Sequence, residues 1–274
     1  MTTTDPDAAP ATAAPRSVVS WRQVAMPAEH GGWSLTAEPV LLGLLVAWSW
    51  SGFALGLAAM LAFVARTPLK LVLVDRWRHR WLDRSRLAAR IAAVEIGLIV
   101  VLGVWAATSA ANGWFWMPLA AAVPLIGVEL WFDMRSRGRR LIPELAGTVG
   151  IGSVVAAIVL AADGSAALAA GLWVVVSARA CAAIPYARTQ VFRAHGRPVT
   201  LWHSDLAQVA AVVAVAAAWM LDAVPFAPVV AVLVVAIFNV VAVRGPVRRA
   251  VVIGVQQMLF GFAVVAVTAI GVLA

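Results

Sequence analysis

The chain has 274 residues, of which 63% are apolar and 12% charged, and its 21 Lys and Arg against 13 Asp and Glu give a formal charge of +8. That apolar share exceeds what a water-soluble domain of this size can hide, and the single cysteine, Cys181, excludes an internal disulfide and a thiolate metal cluster. What remains is an all-α, polytopic membrane helical bundle. A β-barrel would need alternating strands of about 9 to 11 residues, and the Ala, Val and Leu runs do not alternate.

In chain order, the sequence opens with an Ala-, Thr- and Pro-rich stretch that carries Asp5 and Asp7 and lacks the basic start and apolar core of a signal peptide. Residues 1–24 are expected to be a disordered cytoplasmic tail, and 25–274 a transmembrane domain. A spanning helix takes about 20 mostly apolar residues. Charge and turn signals divide the domain into nine expected spans, near 34–50, 53–74, 88–108, 115–132, 145–162, 166–186, 204–221, 226–243 and 250–273.

Lys and Arg concentrate in "DRWRHRWLDRSR", "RSRGRR", "RTQVFRAHGR" and "RGPVRR", after spans two, four, six and eight. The connections near Ser51, Asn112, Asp163 and Asp222 contain none. Positive residues accumulate in short cytoplasmic loops, so the N-terminus is expected in the cytoplasm and the C-terminus outside. Trp33, Trp77, Trp81, Trp131 and Trp202 then mark the inner interface, and Trp48, Trp50, Trp114, Trp116 and Trp219 the outer one. The net charge is a topology signal with a secondary attraction to anionic lipids; it does not indicate nucleic-acid binding.

A weak internal repeat follows. Glu29 and Gly32 form E-x-x-G before span one, and Glu144 and Gly147 repeat it at span five. Ala65-Arg66 in span two has its counterpart in Ala178-Arg179 in span six. The expected organisation is two pseudo-repeats, about 27–142 and 143–249, followed by a final helix, 250–273.

Ionisable groups inside a bilayer cost about 2.5 to 3.5 kcal/mol on insertion scales, so each needs a partner or a purpose. Arg66 and Lys70, the only lysine, share a helix face in "FVARTPLKLVLV", and Pro68 between them favours a kink or an unwound turn. With Arg179 from the other half they form a candidate site for phosphate or carboxylate. The alternative is that Arg66 and Arg179 neutralise Glu29, Glu38 or Glu144. In "PAEHGGWSLTAEP", Glu29 and His30 stand at the start of a span as candidate acid or base. Gly31 and Gly32 there permit close approach of a ligand, or simply form a capped turn.

Weaker candidates are Glu95, and Glu129 with Asp133, whose four-residue spacing suggests pairing with Arg135 or Arg137. Tyr186 is expected as an interfacial anchor, and Asn239, Gln256 and Gln257 as interhelical hydrogen bonders. No P-loop, G-x-S-x-G or H-E-x-x-H motif occurs, and the four histidines lack metal-ligand spacing.

"MPAEHGGWSLTAEPVLLGLL" together with "ARTPLK" resembles the YwiC-like family of bacterial integral membrane proteins, whose members show an E-H-G-x-W start and a basic motif in the second helix. More remotely, a four-plus-four-plus-one arrangement and "LWFDMRSRGRRLIPELAGTVGIG" resemble the UbiA prenyltransferase superfamily. That resemblance implies a cavity for an isoprenoid diphosphate. The superfamily's Asp-rich, magnesium-holding motifs on helices two and six are absent, so magnesium is not supported as a cofactor.

Three functions are compatible with these features. The first is binding of an anionic lipid or isoprenoid by Arg66, Lys70, Arg179, Gly31, Gly32 and Glu144, with a transferase chemistry of unusual type as its extension; it predicts a pocket opening to lipid. The second is transport of a small anion, which predicts a path to both faces. The third is a membrane assembly or scaffold protein whose charges pair internally. Neither a cofactor nor an oligomeric state follows from any motif.

Overall fold

The structure, a computed structural model, describes residues 21–27, 30–138 and 140–274. Most of the expected tail and Glu29 lie outside the described residues, and of His30 only the backbone is described. The described residues form α1 (Trp21–Ala25), α2 (His30–Val46), α3 (Trp50–Trp77), α4 (Asp83–Ser109), α5 (Trp116–Met134), α6 (Leu141–Ala161), α7 (Ala166–Ala194), α8 (Trp202–Met220), α9 (Ala227–Ala242) and α10 (Ala250–Leu273), with no strand among them. The helices α2 to α10 correspond one to one with the nine expected spans. The short α1 was not anticipated: it falls at the end of the expected tail, packs against α3 and α4, and buries Val24 and Ala25.

Seven segments are long and apolar enough to cross a membrane, namely α3, α4, α5 with its preceding 3-10 turn, α6, α7, α8 and α10. The protein is therefore a multi-pass membrane protein. The apolar helices α2 and α9 are shorter, with 17 and 16 residues. At 1.5 Å per residue they reach about 25 Å, less than the roughly 30 Å hydrocarbon core.

Local sequence explains the helix ends. Ser49 and Ser165 cap α3 and α7, their hydroxyls accepting from the amides of Gly52 at 2.9 Å and Leu168 at 3.1 Å. The helices α3, α5, α6, α7 and α8 stop with one left-handed residue each: His79, Ser136, Asp163, Gly196 and Asp222. In every case the next amide reaches back to a carbonyl five residues earlier, as from Gly164 to Val159 at 2.9 Å. Pro68 does not have the expected unwinding effect, because α3 runs unbroken through it.

The helix α6 lies at the centre, against α2, α3, α5 and α7. Its residues 152–159 are buried without interruption, the pattern of a helix enclosed by protein on all sides. Ile158 is fully buried between α2 and α3, which approach it through Gly43 and Gly52. A side chain at either glycine would come within about 3 Å of Ile158. By contrast α4 packs mainly on α3, and its Val94, Leu98, Val101 and Val104 face outward. Truncation of Ile158 to Ala should lower stability by about 2 to 5 kcal/mol, seen as an earlier thermal transition of the purified protein in detergent. A similar truncation of outward-facing Val101 should leave that transition unchanged.

Candidate functional site

At the end of the bundle that carries the arginine-rich loops, α3 and α5 exchange charge. Arg66 Nη2 lies 2.8 Å from Glu129 Oε1 and 3.0 Å from Asp133 Oδ2, and Lys70 Nζ is 2.8 Å from Asp133 Oδ1. Arg66 Nε also donates to Asp133 at 3.1 Å. Four-residue spacing on each helix places both cations on one face and both carboxylates on the other. Asp133 is wholly buried, whereas the Lys70 side chain stays 37% exposed. The pairing expected from sequence, with Arg135 or Arg137, does not form. The helix ends at Met134, the chain turns at Ser136, and Arg135 lies over Trp131 at 4.0 Å.

Arg179 occupies a different place. Its Nη1 donates to both carboxylate oxygens of Glu38, each at 3.1 Å, and both side chains are 3% exposed. Its Nη2 donates to the carbonyl of Gln257. From there a chain of side-chain amides crosses the bundle. Gln257 donates to Asn239 at 3.0 Å, Asn239 to Gln208 at 3.3 Å, and Gln208 to the Ala182 carbonyl at 2.8 Å. Five helices, α2, α7, α10, α9 and α8, are linked by this one network. Gly261 on α10 lies directly against the Glu38 carboxylate, where any side chain would overlap it.

The expected trio is thus divided: Arg66 and Lys70 share Asp133, while Arg179 shares no partner with them. Glu144 is at a third place, 2.9 Å from Arg188. Gly32 packs on the Phe63 ring, and Gly31 lies in the first turn of α2. Tyr186 is fully buried and receives hydrogen bonds from Gln190 and Gln256, both at 3.4 Å, so it is an interior group and not an interfacial anchor. Asn239 and Gln257 bond between helices as their place in apolar spans suggested. Glu95 sits midway along α4, half-buried, and its buried Oε2 has no hydrogen-bond partner. Among the described residues, no three His, Cys, Asp or Glu converge as a metal-ligand group.

The open space lies at the basic end. A cleft of about 460 Å³ is lined by Lys70, Ser136, Arg137, Gly138 and Arg140. A second, of about 340 Å³, is lined by Trp77, Arg78, Met134, Arg135 and Arg137. They share Arg137. Sequence reasoning used "RSRGRR" for orientation, for a resemblance and as a source of partners for Glu129 and Asp133, and passed over it as a site; the available signal was its position directly after those two carboxylates. The chemistry on offer is charge-assisted donation from cations beside an aromatic wall.

The two roles of charge inside the bundle separate by mutation. Gly261→Leu should sharply lower the thermal transition, since it drives a side chain into the Glu38 carboxylate. Glu95→Leu should leave the transition unchanged or raise it, because it removes a carboxyl oxygen that lacks a partner. Melting of both variants in detergent distinguishes the two cases.

Comparison with known proteins adds one match. No curated protein and no solved structure matches the chain. The family model described as YwiC-like protein matches residues 26–159, the stretch that holds α2 to α5, the Arg66–Asp133 cluster, both clefts and most of α6. Residues 26–159, just under half of the chain, thus match the YwiC-like family.

Proposed function

We propose that this protein is a lipid-binding protein of the bacterial cytoplasmic membrane, with its arginine-rich end inside, and that it holds an anionic head group in the cleft of Lys70, Arg137 and Arg140. The observation that carries this reading is an imbalance of charge. The Arg66, Lys70, Glu129 and Asp133 cluster is neutral as a group, while Arg137 and Arg140 make no ion pair within 4.0 Å among the described residues and line open space. Trp77 and Trp131, whose ring centroids are 6.4 Å apart, mark the level of the head groups beside it. Juxtamembrane Lys and Arg each contribute about 1 kcal/mol of attraction to an anionic leaflet.

The alternative of transferase chemistry on an isoprenoid diphosphate draws less support. Arg66 and Arg179 already hold carboxylates, and α3 and α7 supply no Asp-rich pair for magnesium. A second reading, a membrane assembly or scaffold protein, is favoured by the internal pairing of those same charges. In either case α2 to α5 and α6 to α9 act as the two repeats, closed by α10.

Native mass spectrometry of the purified protein with its co-purifying lipids tests the proposal. Wild type should retain an anionic lipid. Arg137→Ala/Arg140→Ala should lose it with an unchanged thermal transition, and Arg179→Ala should instead lose stability. Absence of any anionic lipid from stable wild type would sink the reading and leave the scaffold.

A further inference from the structure

We infer that the cleft selects a phosphate monoester, the head group of a lipid that ends in a free phosphate, over the phosphodiester head groups of bulk anionic lipids. This rests on the anionic-lipid reading and specifies its ligand. Lys70 is balanced by Asp133, 2.8 Å away, and Asp133 is balanced again by Arg66. Arg137 and Arg140 line this cleft without a carboxylate partner among the described residues, and so do Arg78 and Arg135 in the adjoining cleft, so more than one uncompensated positive charge faces the open space. A phosphate monoester carries about −1.5 to −2 charge at pH 7, with a second pKa near 6, and presents three terminal oxygens. A diester carries one charge and two free oxygens. The dianion gains more than a monoanion from this surplus of positive charge, and the planar guanidinium forks match its oxygens.

Two further features suit this ligand. Ser136 Oγ accepts from Arg78 Nη2 at 3.0 Å, which leaves the hydroxyl proton free to donate into the cleft. The adjoining cleft, joined through Arg137, sets the side chains of Trp77 and Met134 beside Arg78 and Arg135, and those two side chains offer apolar surface to the first carbons of a chain that continues into the bilayer. A free phosphate ion would leave that path unused, so the ligand is a lipid.

The test offers the full-length protein dioleoyl phosphatidic acid and dioleoyl phosphatidylglycerol in equal amounts, in detergent, with native mass spectrometry as readout at about pH 8 and about pH 5. The charged groups around the joined clefts are Lys70, Arg66, Glu129, Asp133, Arg78, Arg135, Arg137 and Arg140. Phosphatidylglycerol, run at both pH values, accounts for any change in the protein itself. The monoester should be preferred by about fivefold at pH 8, the effect of one additional charge contact. The preference should collapse at pH 5, where the second proton returns. Arg137→Gln/Arg140→Gln should abolish it, and the pH arm decides the matter with wild type alone if that variant does not fold.

Equal retention of both lipids at pH 8 would overturn the monoester assignment and leave the anionic-lipid reading intact. Retention of neither would overturn both. A thermal shift with inorganic phosphate alone, without lipid preference, would assign the cleft to a soluble anion and overturn the lipid.

Discussion

A guanidinium and a carboxylate taken out of water lose several kcal/mol of hydration apiece, and only close mutual contact with further hydrogen bonds offsets that loss. Arg179 and Glu38 meet this condition at the middle of α7 and α2, and much of the bundle is arranged around it. Gly261 removes its side chain from the Glu38 carboxylate, the Gln257 carbonyl accepts the second guanidinium nitrogen, and the Gln257 amide starts the chain through Asn239 and Gln208. In a bilayer, apolar contact between helices brings little gain over contact with lipid, so polar contacts and close packing decide which helices meet. The network thereby fixes α8, α9 and α10 against α7 and α2.

That arrangement limits where function can reside. A cation committed to a buried carboxylate is not available to a ligand without leaving that carboxylate unpaired. This applies to Arg179 fully and to Arg66 in large part, since Arg66 spans Glu129 and Asp133. Charge without a partner accumulates instead where α5 ends and the chain turns at Ser136 into "RSRGRR". The family match covers this half of the protein, 26–159, which includes the Arg66 cluster and both clefts but not Arg179. Within this protein the matched half carries the open basic surface, and the other half supplies the core ion pair's arginine and the amide chain.

Apolar run length made α2 to α10 legible in the sequence, because a helix in lipid must satisfy its own backbone and so announces itself by composition. Run length did not separate helices that reach both interfaces from α2 and α9, which fall short, nor did it mark α1, a helix of five residues that depends on packing against α3 and α4. The intramembrane charges were recognisable as needing partners. Their partners were not, since Glu38 and Arg179 lie 141 residues apart and Arg66 and Asp133 lie 67 apart. For Asp133 the nearby arginines misled: Arg135 stands just past the helix end and lies over Trp131, and Arg137 lies beyond the left-handed Ser136. Tyr186 was misplaced for a related reason. Its two amide partners come from its own helix and from α10, which no local pattern connects.

The central claim is that Arg179 is held by Glu38 as a structural pair and is not a ligand-binding cation. A double-mutant cycle with Glu38→Gln, Arg179→Met and both together, read as unfolding free energy in detergent, addresses it most directly. Each single change should cost about 3 to 5 kcal/mol, because it leaves the other group buried without its partner. The double variant should cost well under the sum, a coupling of about 2 kcal/mol or more. Costs that add to within about 0.5 kcal/mol would mean that the two groups do not interact, and the account of a bundle organised around this pair would be wrong.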